Sequence, residues 1–89
     1  MSGFCTSAAY AGLPDTGLMS YAEMLHVGRC IHESTSHIPI IGDGDTGYGN
    51  AVNVKRTVNG YASAGFAGAM VCADLWSGSF PHQNQFSYT

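Results

Sequence analysis

A strand signal, a helix signal and a second strand signal follow one another between Ile38 and Cys72, and this order constrains the fold more than anything else in the chain. Ile38, Ile40 and Ile41 are β-branched, with Pro39 near the start of the run and Gly42 at its end, so Ile38–Gly42 reads as a short buried strand. Asn50 suits the N-cap of a helix from Ala51 to about Ala64, which Gly65 ends. Val54, Val58, Tyr61 and Ala62 supply its apolar face, and Lys55 and Arg56 a solvated one. Ala67–Cys72 reads as a second buried strand. Strand, helix and strand joined by short loops imply a right-handed parallel crossover. One such unit leaves sheet edges and strand faces uncovered. It needs more strands and helices than an 89-residue chain, one domain at most, supplies.

The segments before the first strand are punctuated just as clearly. Met1–Ala11 is small and apolar and fits a short helix after a tight turn at Ser2-Gly3. Gly12-Leu13-Pro14-Asp15-Thr16-Gly17 is a loop, in which turn formation is the ordinary role of Asp15. Ser20 and Glu23 are spaced as a capping box, opening a helix from Tyr21 to about Glu33. Tyr21, Met24, Leu25, Gly28 and Ile31 form its inward stripe. The last residues, 73–89, hold Trp76, Phe80, Pro81, Phe86 and Tyr88 without helical or alternating period, and read as an irregular tail.

Charge narrows the function classes. Arg29, Lys55 and Arg56 are the only Lys or Arg residues, and the net charge is −3, which argues against a nucleic-acid partner. Charged residues make up 10% of the chain, against about 25% in an ordinary soluble domain, as expected for a piece from the interior of a larger α/β protein. No 18-residue apolar run suggests a membrane span, and no basic start with an apolar core suggests a secretory signal. Cys5, Cys30 and Cys72 lack metal-type spacing and read as reduced thiols of an intracellular protein, cytoplasmic or mitochondrial. His26, His32, His37 and His82 do not cluster with them.

The loop after the first strand, Gly42-Asp43-Gly44-Asp45-Thr46-Gly47-Tyr48-Gly49-Asn50, carries the chemistry. If the chain is still extended there, Asp43 and Asp45 leave the same face. Two such carboxylates repel unless a cation or a shared proton lies between them. A hard divalent ion, Mg²⁺ by preference with Mn²⁺ as the alternative, relieves that repulsion. Gly42, Gly44 and Gly47 also match the dinucleotide pattern G-x-G-x-x-G. Against it, the two aspartates place negative charge beside a pyrophosphate, and no acidic residue lies between Ala64 and Met70. An EF-hand frame starting at Asp43 puts Tyr48 at the turn glycine and Val54 at the bidentate glutamate. An ordinary Asp/Gly turn is the plain alternative.

Ser2-Gly3-Phe4, Leu13 to Gly17, Gly42 to Asn50, Asn53-Val54-Lys55-Arg56-Thr57-Val58 and Ala64 to Gly68 together resemble the isocitrate lyase/phosphoenolpyruvate mutase superfamily, over about residues 2–71. The resemblance is to the branch with methylisocitrate lyase, oxaloacetate hydrolase, dimethylmalate lyase and carboxyvinyl-carboxyphosphonate phosphorylmutase. It implies an α/β fold, an incomplete (β/α)₈ barrel with its site at the C-terminal ends of the strands, over residues 1–72. It further implies Asp43 and Asp45 as the metal-holding pair, Asp43 also facing substrate. Ser2, Gly3 and Phe4 would bind a substrate carboxylate, largely through backbone groups, and Asp15 would be an active-site carboxylate. The implied reaction cleaves or forms a C–C or P–C bond in a small 2-hydroxy or 2-oxo dicarboxylate or phosphonate, the metal stabilising an enolate.

The departures from that family are specific. Cys72 and Ala73 stand where it has Glu and Asp, and no Lys-Arg-Cys-Gly-His type loop follows. The resemblance also implies a parent that assembles as a homo-oligomer through elements outside the matched segments. The expectation is a truncated member with little activity alone, the rival being a non-enzymatic piece that is degraded or binds the full-length enzyme.

Overall fold

The computed structural model describes residues 1–74 and 84–87. Its elements are α1 (Gly3–Thr6), continued by a π-helical turn Ser7–Ala11, α2 (Tyr21–Ser34), β1 (Ile41–Asp43), α3 (Ala51–Ser63), β2 (Gly68–Asp74) and β3 (Asn84–Ser87). β1 and β2 pair in parallel, Ile41 with Gly68, Gly42 with Ala69 and Asp43 with Met70, and α3 is the crossover between them.

Both long helices start where their caps dictate. The Glu23 amide donates to Ser20 Oγ at 3.2 Å and the Ser20 amide to Glu23 Oε2 at 2.8 Å, closing the expected box. At α3, Asn50 Oδ1 accepts from the Val52 amide at 3.0 Å and the Asn53 amide at 3.2 Å. Asn53 Oδ1 accepts in return from the Asn50 amide at 3.0 Å, so a second box stands where a single N-cap was expected.

β1 is shorter than the expected Ile38–Gly42 and lies later in the chain. Pro39 has no N–H to give a ladder, and the Ile38 amide is spent in a turn on Thr35 O at 2.9 Å. The strand is also buried on one side only. Gly42, Ala69 and Val71 face the helices and are covered, whereas Ile41 is 56% and Met70 40% exposed on the opposite face. That bare face is the one that would look into a barrel.

Met1 continues the sheet on the other side of β1. Its α-amino group donates to Ile41 O at 2.7 Å, and the Asp43 amide donates to Met1 O at 3.0 Å, the hydrogen-bond pattern of a parallel neighbour.

The core lies between the helices and the covered sheet face: Met19, Met24, Ile40, Tyr61, Ala64, Phe66 and Ala69. Phe66 is its wedge. Its ring lies against Gly28 of α2 and Gly42 of β1 so closely that a Cβ at either position would overlap it. On α3 the inner face differs from the expected one. Tyr61 is buried and Val54 and Val58 are half-buried, but Ala62 is exposed and Thr57 is buried instead. Thr57 is four residues before Tyr61 and so shares its face, while Ala62 is rotated a further 100°.

The expectation of an irregular tail is corrected over Asn84–Ser87. This segment pairs antiparallel with β2, Val71 with Ser87 and Cys72 with Phe86. The short connection from Asp74 permits an antiparallel return, whereas a parallel one needs roughly a dozen residues or more. The other tail residues, Trp76, Phe80, Pro81 and Tyr88 among them, lie outside the described residues.

Candidate active site

Asp43 closes β1, and its carboxylate ties two segments together. Oδ2 accepts from the Gly3 amide at 2.9 Å, and Oδ1 accepts from the Asp45 amide at 2.9 Å. The second bond makes a tight turn of the loop, with Asp45 at φ 51°. The chain is therefore not extended at Asp45, as the alternation argument required. What the turn brings to the Asp43 carboxylate is the Asp45 amide, and the Asp45 carboxylate stays near enough to feel the Asp43 charge.

Asp15 joins them from the loop after α1. Its Oδ1 is 3.5 Å, and Asp43 Oδ2 2.8 Å, from the point where a side chain on Gly3 would begin. A Cβ at Gly3 would overlap Asp43 Oδ2, whereas Asp15 Oδ1 lies at ordinary contact distance from it. Burial first, then the Asp43 and Asp15 charges, push the Asp45 carboxyl above its ordinary value, against a hydrogen bond from the Thr46 backbone.

A cleft of about 280 Å³ opens beside this corner, lined by Met1, Ser2, Ile41, Gly42, Asp43 and Met70. Ser2 and Asp43 thus meet at one cleft, with Gly3 tied to Asp43. Asp15 and Asp45 flank Asp43 without lining the cleft. The Phe4 side chain is 68% exposed, and Phe4 does not line the cleft. Met1 and Met70 belong to the cleft although nothing in their residue type signals it.

The loop is braced from below. Gly44 N–H donates to Met70 O at 2.8 Å, Gly47 N–H to Gly44 O at 2.8 Å, and Cys72 N–H to Asp45 O at 2.7 Å. A dinucleotide site would need the Gly44 and Gly47 amides for a pyrophosphate, and here both are spent. Tyr61, buried in α3, donates its hydroxyl to Asp43 O at 3.0 Å, and Thr57 donates to Gly47 O at 2.8 Å. Burial pushes the Tyr61 phenol up to about 12, and burial with Tyr61 beside it raises Tyr48 well above its usual value, so both stay neutral. Neither contact was expected from the sequence; the one signal for them is that Thr57 stands four residues before Tyr61, on the same helix face.

The family model described as phosphoenolpyruvate phosphomutase matches residues 1–75. The chain belongs to this family. It is 43% identical over 76 residues to the chloroplastic carboxyvinyl-carboxyphosphonate phosphorylmutase of Arabidopsis thaliana, covering 85% of this chain and 22% of that protein. It is 48% identical over 67 residues to 2,3-dimethylmalate lyase of Eubacterium barkeri, covering 75% and 23%. The solved structure of oxaloacetate acetylhydrolase with its product oxalate superposes with a TM-score of 0.78 at 32% identity, covering 86% of this chain and 30% of that one. The chain therefore spans about a quarter of the length of the curated relatives it matches. Its fold is an incomplete α/β portion of the (β/α)₈ barrel of the phosphoenolpyruvate mutase/isocitrate lyase superfamily. In that frame the acidic loop follows the C-terminal end of β1, the end at which barrel enzymes carry their sites.

The donor set fits a hard cation in kind. Asp43 uses one lone pair on each oxygen for a backbone N–H, leaving further lone pairs, and Asp45 adds a second carboxylate. Mg²⁺ commonly keeps several waters and takes one or two carboxylates. Among the described residues no three His, Cys, Asp or Glu side chains stand as a ready metal cluster. None of the described helices is long and apolar enough to cross a membrane.

Proposed function

We propose that this chain carries the carboxylate corner of a Mg²⁺-dependent lyase or phosphorylmutase site that makes or breaks a C–C or P–C bond in a small 2-hydroxy or 2-oxo dicarboxylate or its phosphonate analogue. The observation that carries this reading is the Asp43 carboxylate, bonded at once to Gly3 and Asp45 and flanked by Asp15. Asp43 and Asp45 would hold Mg²⁺, or Mn²⁺, through hard oxygens. Bound there, the ion supplies Lewis-acid stabilisation of the negative charge that builds on the substrate as the bond breaks. Ser2, Gly3 and Phe4 would orient a substrate carboxylate at the cleft through the groups of the turn other than the Gly3 amide, which Asp43 already holds. The Asp43 bond to Gly3 fixes that turn relative to the acids. Asp15 is placed beside the same turn, where a carboxylate can hold or accept a proton. Relatives named for dimethylmalate, phosphonopyruvate and oxaloacetate chemistry support this substrate class.

The chain alone is expected to turn over poorly, because catalysis needs positioning within about 1 Å and Cys72 and Ala73 replace the family's Glu and Asp. The exposed Ile41 and Met70 face favours a second reading, a non-enzymatic piece that is itself degraded or that binds the full-length enzyme through its bare sheet face.

Calorimetric titration with Mn²⁺, paired with turnover assays on oxaloacetate, isocitrate, methylisocitrate and phosphonopyruvate, separates these. Binding abolished in Asp43→Ala with little turnover is the expected result. Absence of any saturable Mn²⁺ binding would sink the metal-site reading, and robust turnover would overturn the inactivity.

A further inference from the structure

Thr57 and Tyr61 stand one helical turn apart on the buried face of α3, and their hydroxyls reach the two ends of the acidic loop. Thr57 donates to the Gly47 carbonyl and Tyr61 to the Asp43 carbonyl. Both side chains are essentially inaccessible, Thr57 at 2% and Tyr61 at 0% exposure. Core packing alone does not call for either hydroxyl, since valine and phenylalanine fill the same shapes without a polar group to desolvate.

The loop these hydroxyls bracket has reason to spring open. Asp43 and Asp45 are like charges two residues apart, with Asp15 close by. The Asp45 amide bond to Asp43 Oδ1 sits inside the bracket. We infer that Thr57 and Tyr61 are positioning residues of the acidic loop, acting through the Gly47 and Asp43 carbonyls to keep the Asp43 and Asp45 carboxylates within reach of one divalent cation. This rests on the cation reading given above, and it assigns α3 a task beyond that of a crossover.

The test measures two quantities on the 89-residue chain: Mn²⁺ affinity by calorimetry, and amide hydrogen exchange at Asp45 and Cys72. The variants are Thr57→Val, Thr57→Ser and Tyr61→Phe, with Asp43→Asn as the control that removes a proposed ligand. Thr57→Val and Tyr61→Phe should weaken Mn²⁺ binding about tenfold and speed exchange at both amides by more than any fall in the unfolding midpoint accounts for. Thr57→Ser, which keeps the hydroxyl, should retain wild-type affinity and protection. Wild-type affinity and exchange in both Thr57→Val and Tyr61→Phe would overturn the inference. If the wild-type chain binds no Mn²⁺, the cation reading fails and this assignment falls with it; protection lost in Thr57→Val and kept in Thr57→Ser would then show only a structural brace.

Discussion

The Asp43 carboxylate lies 2.9 Å from the Gly3 amide, across forty residues of sequence. That bond joins the end of β1 to the first turn of the chain beside the cleft, together with the backbone bonds of Met1 to Ile41 and Asp43. Hydrogen bonds to an ionised carboxylate exceed neutral ones, at roughly 1.5–3 kcal/mol.

Asp43→Asn keeps the size of the side chain and removes its charge. It should lower stability by about 1–3 kcal/mol in urea unfolding. The amide of Gly3 should lose exchange protection first, ahead of the core. An unchanged midpoint and a protected Gly3 would show that this bond contributes nothing.

Asp45 gives a pH dependence of definite sign. Its folded-state carboxyl binds a proton more readily than in the unfolded chain, because burial and the Asp43 and Asp15 charges raise it. Its contribution to stability is therefore full below the ordinary value and is lost as pH rises through the raised one. The unfolding midpoint should fall across that acidic window in the wild type and stay flatter in Asp45→Asn. Identical pH profiles for the two proteins would count against the raised carboxyl.

Gly42→Ala should destabilise by about 1–3 kcal/mol, because the new methyl meets the Phe66 ring and the Tyr61 side chain. Phe66→Leu in the same chain should return part of that loss. A double-mutant cycle measures the coupling, and additive effects would deny the contact.

The bare sheet face should drive self-association. Replacing Ile41 by Thr and Met70 by Gln should reduce the sedimentation-detected oligomer while shifting stability by only about 0.5 kcal/mol each. Equal association in wild type and variant would place the sticky surface elsewhere.

Element order was legible because the caps and glycines that punctuate this chain act locally. Ser20 with Glu23, Asn50 and Gly65 mark helix ends wherever they occur, and all three do so here. What short-range signals missed was set by distant partners. Pro39 and the Thr35 turn shortened β1, and the vacant face of the sheet left Ile41 and Met70 exposed despite their apolar character. Strand alternation was expected to put the two aspartates on one face, but Asp45 is left-handed and its amide is turned back onto the Asp43 carboxylate, so the alternation does not extend that far. The parallel neighbour made by Met1 depends on contacts that no window of sequence contains.

The Phe66 wedge works as a spacer gauge. One ring sets the gap between α2 and the sheet, and the two positions it touches, Gly28 and Gly42, come from different elements. A bulkier residue at either position has to be matched by a smaller one at 66. These three sites are therefore expected to vary as a trio, so that a chimera exchanging α2 alone between relatives inherits a mismatched gap even when every exchanged residue is itself a good helix former.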